Sequence, residues 1–491
     1  MKRNNLVKLV CLAFAAFFIR AIPHLFIIPY VGIGEGYMFI FAERLSRGLY
    51  FSLNQYPHTA ILGVVVLHKL TRLPIITCGS FWSPLMSGLS AVVMYFVLRD
   101  LMGVKKPFLP TLLFVCLDSH IYRSTLFTSA AEATGILFLL IFVWVYSTKS
   151  KFSSVFLLPV LLWTHLIPFG IAIIFIFSDV VNNINQKGKI YAIIGVGIIS
   201  IVAFLIFNPY GLFFGHIQFA TDFFSADILS KINVEDVFLL FSTFLGTIIM
   251  FGMCLVLSER RGPVLVPSVL VALLGVLSLF WYSTMVSPFR VIVYAGMLGV
   301  MGYSKIAETR DINPRFTILL LILMLAQVSC FGWRNHNRVF DVVTHDEYDM
   351  IKWLKGSDPK VWYGHIYWDN SGDDLLVLLL IPIKVNPGID ENILPNKWLY
   401  TPELVDSTEG NVDNNTEGYV VNTTTGGYPR FKYVIYSDRF ANRALFRFIE
   451  RGNRIIYGRY PIADTWANDP NWEVVYENPG GKIYKRSDHE P

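Results

Sequence analysis

Residues Cys78–Leu98 read CGSFWSPLMSGLSAVVMYFVL, without one charged side chain, and Arg99 and Asp100 follow at once. About 20 mostly apolar residues are what an α-helix needs to cross the hydrocarbon layer of a bilayer. The stretch therefore sets the class, a chain that enters a membrane as helices. Working outward from it, similar runs recur at roughly Leu6–Tyr30, Val104–Leu117, Phe127–Tyr146, Phe152–Thr164, Ile167–Val181, Ile190–Phe207, Val237–Leu257, Val264–Tyr282, Val291–Tyr303 and Phe316–Phe331, which makes 11 candidate spans. Val104–Leu117 and Phe152–Thr164 are short, and Pro159 interrupts the second, so either fits a broken or re-entrant helix. Thr59–Leu67 is apolar but too short to cross, and fits an interfacial or re-entrant helix.

Composition agrees with this class. Of 491 residues, 54% are hydrophobic and 16% charged, and the mean hydropathy of +0.50 contradicts the soluble domains such a length would otherwise suggest. Collagen, a disordered chain and a small disulfide scaffold are excluded on the same ground. Residues 1–333 hold 23 Lys/Arg and 13 Asp/Glu, whereas residues 334–491 hold 18 and 23. A sparsely charged transmembrane domain, 1–333, thus precedes a part with the composition of a water-soluble domain, 334–491. The net charge of +5 averages these two unlike parts. No long basic stripe with interleaved aromatics occurs, so nucleic acid is not an expected partner.

Basic residues gather at the cytoplasmic ends of membrane spans. With Lys2, Arg3 and Lys8 inside the cell, alternation puts Arg99, Lys105, Lys106, Lys149, Lys151, Lys187, Lys189, Arg260, Arg261, Lys305, Arg310 and Arg315 on that side as well. An odd number of spans then leaves the C-terminal domain outside, with which the sequons Asn414-Asn415-Thr416 and Asn422-Thr423-Thr424 agree. The N-terminus has the basic start of a signal peptide, but Arg20 and Pro23 replace a small-residue cleavage site, so a retained first span is expected. Cys11, Cys78, Cys116, Cys254 and Cys330 all lie in or beside apolar runs and read as packing residues.

Two external loops are expected. The first, 31–77, contains Glu35-Gly-Tyr37 and a helical pattern through Phe41 and Leu45 that Gly48 ends, laid along the membrane surface. The second, Asn208–Asp236, holds His216, Asp222, Asp227, Lys231, Glu235 and Asp236 among aromatics and reads as an interfacial belt. The tail looks α/β: a helix over Asp346–Leu354, a strand at Lys360–Tyr363, a helix near Asp373, a strand at Phe431–Tyr436, a helix over Asn442–Glu450, and a hairpin of Val474–Tyr476 with Lys482–Tyr484. Glu403–Gly427 is a polar loop.

Ionisable groups inside spans are costly and mark function. Arg20, Asp118, Arg123, Glu132, His165 and Arg290 all fall near the external ends of their spans, and Glu35 opens the external loop. Their convergence at one face predicts an outward polar cavity. Snorkelling to the interface is the plainer account of Arg20 and of Arg123 taken singly.

The same residues carry a resemblance. Glu35-Gly-Tyr37, Ala42-Glu43, Gly48 and Tyr56-Pro57 after a first membrane helix resemble the start of GT-C glycosyltransferases, with Glu35 in place of the usual Asp. Arg123-Ser124 through Ala130-Ala131-Glu132 is similar to a stretch of oligosaccharyltransferase catalytic subunits, where an acid stands at the position of Ala130. Ser287-Pro288-Phe289-Arg290 and the helix Tyr348–Lys355 are similar to further GT-C openings, and Trp368-Asp369 matches part of a WWDYG signature. The resemblance implies a multi-pass GT-C fold with an external α/β domain, and transfer of a sugar, with inversion, from a polyprenyl-phosphate donor at the outer face. Expected partners are membrane lipids, a lipid-linked sugar donor and a glycan, lipid or protein acceptor.

Such chemistry needs a base for the acceptor hydroxyl and positive charge for the departing phosphate. Glu35 is the candidate base. Arg123 and Arg290 are candidate phosphate contacts. Asp118 and Glu132 hold a divalent metal or orient the acceptor, with Ala130 weakening the case for metal; His165 contacts phosphate or caps its helix. A non-catalytic scaffold of the same fold and a lipid or solute transporter are the alternatives. No Walker loop, dinucleotide-binding glycine pattern, HExxH, GxSxG or CxxC occurs.

Overall fold

The computed structural model describes residues 3–22, 42–43, 45–46, 48, 58–121, 130–148, 154, 156–182, 195, 202, 244–257, 264–280, 288–336, 345–358, 361, 366–368, 432–437, 446–449, 455–458 and 470–487. The chain divides into two compact units, Met1–His24 with Leu53–Arg338, and Leu25–Ser52 with Val339–Pro491.

The first unit is helical. Its helices are α1 (Arg3–Ala21), α2 (His58–Thr71), α3 (Ile75–Phe96, continued by a π-helical turn over Val97–Leu101), α4 (Phe108–Val115), α5 (Asp118–Ile121), α6 (Ala130–Thr148), α7 (Leu157–Thr164), α8 (Leu166–Asn182), α9 (Leu245–Leu257), α10 (Leu265–Phe280), α11 (Pro288–Thr309) and α12 (Pro314–His336). Asn4–Ala21, Ile75–Leu101 and Ala131–Thr148 are long and apolar enough to cross a membrane, and shorter apolar helices include Ile167–Asp179 and Leu265–Val276. Ile190–Phe207 and Asn208–Asp236 lie outside the described residues, 195 and 202 apart.

Both short runs hold short helices that end at a break, as their length suggested, but Pro159 sits in the first turn of α7 and does not interrupt it. After α4 the chain leaves helical geometry at Cys116, and α5 starts afresh at Asp118. After α7 it turns extended at His165, with φ −170° and ψ 138°, and α8 begins at the next residue. The apolar segment near Thr59 extends to the 14-residue helix α2.

Lipid is as apolar as a leucine side chain, so close van der Waals packing holds membrane helices together. On α11, Gly296, Gly299 and Gly302 recur every three residues. A Cβ on Gly299 would lie 2.9 Å from the backbone nitrogen of Phe251, and one on Gly302 would collide with the Cys254 side chain. α9 and α11 thereby approach to backbone contact, and Met250, Cys254, Met297 and Val300 close the seam as buried residues. Tyr303 ties α11 to α12 through a hydrogen bond of 2.8 Å to Thr317. A glycine face of this kind leaves α11 little freedom to slide, which fixes where its N-terminus stands.

In the second unit, residues 42–43 and 45–46 are helical, and Gly48, at φ 78°, donates its N–H to the Leu45 carbonyl at 3.1 Å. That is the predicted stop, since a left-handed residue after a helix favours glycine. The tail has α13 (His345–Ser357) and a sheet of β1 (Ile366–Trp368), β2 (Tyr433–Ser437), β6 (Gly481–Arg486) and β5 (Trp472–Asn478), in the order β1-β2-β6-β5. β1 runs parallel to β2, with Ile366 opposite Tyr433, and the other pairs are antiparallel. Trp353 of α13 stacks on Tyr476 of β5 at 4.7 Å. The expected hairpin is present and longer at both ends, its turn held by Gly480 N–H on Asn478 Oδ1 at 2.8 Å.

One expectation is corrected. Asn442–Glu450 contains no helix among its described residues; Phe446–Ile449 (β3) pairs antiparallel with Ile455–Gly458 (β4). Phe446 and Phe448 alternate with Arg447, so the period-two pattern prevails over the helical one. The expected helix near Asp373, the sequons and Glu403–Gly427 lie outside the described residues, as does all of Lys360–Tyr363 except residue 361.

Candidate functional site

Three helices of the first unit begin at one place. Glu132 is the third residue of α6, Arg290 the third residue of α11, and His165 the residue immediately before α8. The Arg290 Nε lies 3.2 Å from Glu132 Oε1, and the His165 Nε2 lies 4.0 Å from the same oxygen. First turns expose unpaired backbone N–H groups and the positive end of the helix dipole, so a carboxylate here is stabilised before any side chain is counted.

His165 has its tautomer set by the fold. Its Nδ1 accepts the Ile167 N–H at 3.3 Å, which caps α8. An accepting Nδ1 carries no proton, so the ring proton sits on Nε2 and points the donor edge toward Glu132. The break that creates this cap also places the ring. The side chain does cap its helix, one of the two roles its sequence position suggested.

Close approach of α8 to α6 depends on Gly135, one turn beyond Glu132. A Cβ there would lie 2.6 Å from Pro168 Cγ and 3.5 Å from His165 Cβ. The neighbouring Thr134 accepts a hydrogen bond from Trp82 Nε1 at 2.9 Å, which locks α6 against α3. Gly135 and Pro168 were not foreseen from the sequence, although the three-residue spacing of Glu132 and Gly135 puts both on one helix face.

Asp118 is engaged elsewhere. Its carboxylate accepts the N–H of Gly246 at 3.1 Å, the N–H of Thr247 at 3.3 Å, the Ser119 N–H at 2.7 Å and the Thr247 hydroxyl. Gly246 and Thr247 are the second and third residues of α9, so Asp118 caps a helix distant in sequence and satisfies N–H groups that lipid cannot. Next to it, His120 Nδ1 pairs with Arg20 at 2.8 Å, and Arg20 also donates to the Ala16 carbonyl at 3.1 Å. Arg20 is wholly enclosed, at 0% exposure, and so does not snorkel. α5 thus braces α1 and α9 with polar bonds.

Glu35 and Arg123 lie outside the described residues. Among the described residues no group of three or more His, Cys, Asp or Glu side chains is placed to hold a metal ion. At Glu132 a guanidinium already takes the carboxylate oxygen a cation would need, and Ala130 supplies no second one. These residues do not fit a metal site.

No family model and no curated protein matches the chain. Solved structures do. ArnT from Cupriavidus metallidurans, bound to undecaprenyl phosphate, is 12% identical with a TM-score of 0.51, over 99% of this chain and 98% of that one. Arabinofuranosyltransferase AftD from Mycobacteria is 14% identical with a TM-score of 0.50, over 100% of this chain and 40% of that one. The Archaeoglobus fulgidus oligosaccharyltransferase, in complex with Zn and sulfate, is 11% identical with a TM-score of 0.50, over 98% of this chain and 73% of that one. All three are GT-C glycosyltransferases. At these identities the likeness is one of fold, and this chain has the GT-C fold that its short motifs resembled.

Proposed function

We propose that this chain is a glycosyltransferase that moves a sugar from a polyprenyl-phosphate donor to an acceptor at the outer face of the cell membrane. The observation that supports it best is the meeting of Arg290 and His165 on one buried carboxylate where three helices begin. Guanidinium, imidazole N–H and helix N-termini together favour an anion that carries both charge and several acceptor oxygens, which describes a phosphate. The similar ArnT structure holds such a lipid phosphate.

In the reaction the acceptor oxygen attacks the anomeric carbon and its proton passes to a base. The bond to the donor phosphate oxygen breaks, and the phosphate leaves with its electron pair. Arg290 is assigned to that growing negative charge, where a preformed donor is worth most. Glu35 is assigned to the proton on the sequence alone. The 11-span topology, with its N-terminus cytoplasmic and the C-terminal α/β domain outside, belongs to the same reading, since lipid-linked sugars are consumed on that side.

The test is Arg290→Ala in the full chain, with surface expression verified and the glycan and glycolipid profile compared with wild type. Loss of one glycosylated product, with its lipid-linked donor accumulating, is expected. An unchanged profile would point to a non-catalytic scaffold, and substrate uptake into vesicles without covalent product to a transporter.

A further inference from the structure

We infer that Glu132 is a positioning residue that works through Arg290: it holds the guanidinium from the buried side by an ion pair and leaves the more exposed part of it to the donor phosphate. The inference rests on the reading above and assigns to Glu132 neither proton transfer nor metal binding. Exposure separates the two partners. The Glu132 side chain is 3% exposed and the Arg290 side chain 27%, so of the pair it is Arg290 that a ligand reaches.

The geometry of the pair agrees. A guanidinium offers five N–H donors in a flat fork, and the edge formed by the two Nη groups suits two oxygens of one phosphate. Here the shortest approach of Glu132 to the guanidinium is at Nε, 3.2 Å from Oε1.

The grip is itself held. His165 Nε2 approaches the same Oε1 from α8, and Gly135 lets that helix come close enough. Both Glu132 and Arg290 sit in first turns of helices anchored by packing, and a rigid element places a side chain more accurately than a loop does. A buried carboxylate that lost its cation would carry a large desolvation cost, so the pair is kept together until a phosphate arrives.

The test is a double-mutant cycle on the purified full chain in nanodiscs, with undecaprenyl phosphate as the probe. Arg290→Ala is expected to weaken binding about 10- to 100-fold, the range for losing a charge-assisted contact. Glu132→Ala should lose nearly as much, and the double variant no more than Arg290→Ala alone, because the acid acts through the arginine. Glu132→Gln should restore binding to within about threefold of wild type, since an amide oxygen can accept from the guanidinium.

Additive losses would overturn the proposal, as would a Glu132→Gln protein that binds the lipid normally yet transfers no sugar, for then the acid does chemistry of its own. If wild type binds no polyprenyl phosphate, the functional reading fails separately. The same cycle read as thermal stability then decides the pairing, and zero coupling between Glu132 and Arg290 would sink it.

Discussion

Arg290 Nε stands 3.2 Å from Glu132 Oε1 across two helices that begin far apart in the chain, and His165 Nε2 reaches the same oxygen at 4.0 Å. One carboxylate therefore gathers a guanidinium and an imidazole N–H. Its surroundings set what each group can do, and the consequences can be measured.

Gly135 is the clearance on which this meeting depends. Gly135→Ala puts a methyl group 2.6 Å from Pro168 Cγ, so α8 must shift, at a cost of about 1–3 kcal/mol for overpacking. Lower thermal stability in detergent and weaker lipid-phosphate binding are expected together. Gly170 has nothing within 4 Å of its would-be Cβ. Gly170→Ala should leave both properties near wild type, and equal losses in the two variants would remove the steric explanation.

Asp118 should behave as a cap. Asp118→Ala strips acceptors from the second and third N–H groups of α9 inside an apolar unit, which should cost about 2 kcal/mol or more. Asp118→Asn keeps one acceptor oxygen and should lose less. Folded Asp118→Asn is expected to bind undecaprenyl phosphate as wild type does. A variant of full stability but no transfer would return Asp118 to the chemistry.

In the second unit, Asp358 accepts hydrogen bonds from Lys432 Nζ at 2.8 Å and from the Tyr433 hydroxyl at 3.0 Å. Burial first, then the hydrogen bond and charge of Asp358, push the Tyr433 pKa above the ordinary phenol value. The neutral phenol is the favoured form, so its contribution to stability is complete below about pH 10 and is lost as the pH climbs beyond it. Difference absorbance of wild type against Tyr433→Phe should show this late titration. In Asp358→Asn it should move down toward the ordinary range, and an unmoved curve would show that Asp358 has no part in it.

The helical membrane unit was legible in one dimension because apolar run length is a local property. Cys78–Leu98 needs no partner to be recognised as a span, and Leu157–Thr164 followed by His165 betrays its break through shortness. Asn442–Glu450 fits a helical pattern as a local segment, whereas the alternation of Phe446–Ile449 acquires its meaning only through pairing with Ile455–Gly458. The ionisable residues could be recognised as unusual one by one, since each stands in an apolar run.

Which of them meet was settled by packing alone. Glu132, His165 and Arg290 come together because Gly135 admits α8 and the glycine face of α11 fixes its first turn, and both are steric conditions between segments far apart in the chain. Asp118, as acidic and as buried as Glu132, was sent instead to the bare N-terminus of α9. Sequence determines the cost of putting a charge in an apolar unit. Only the tertiary structure determines which partner offsets that cost, because a hydrogen bond is made over about 3 Å and the partners are brought to that distance by the fold.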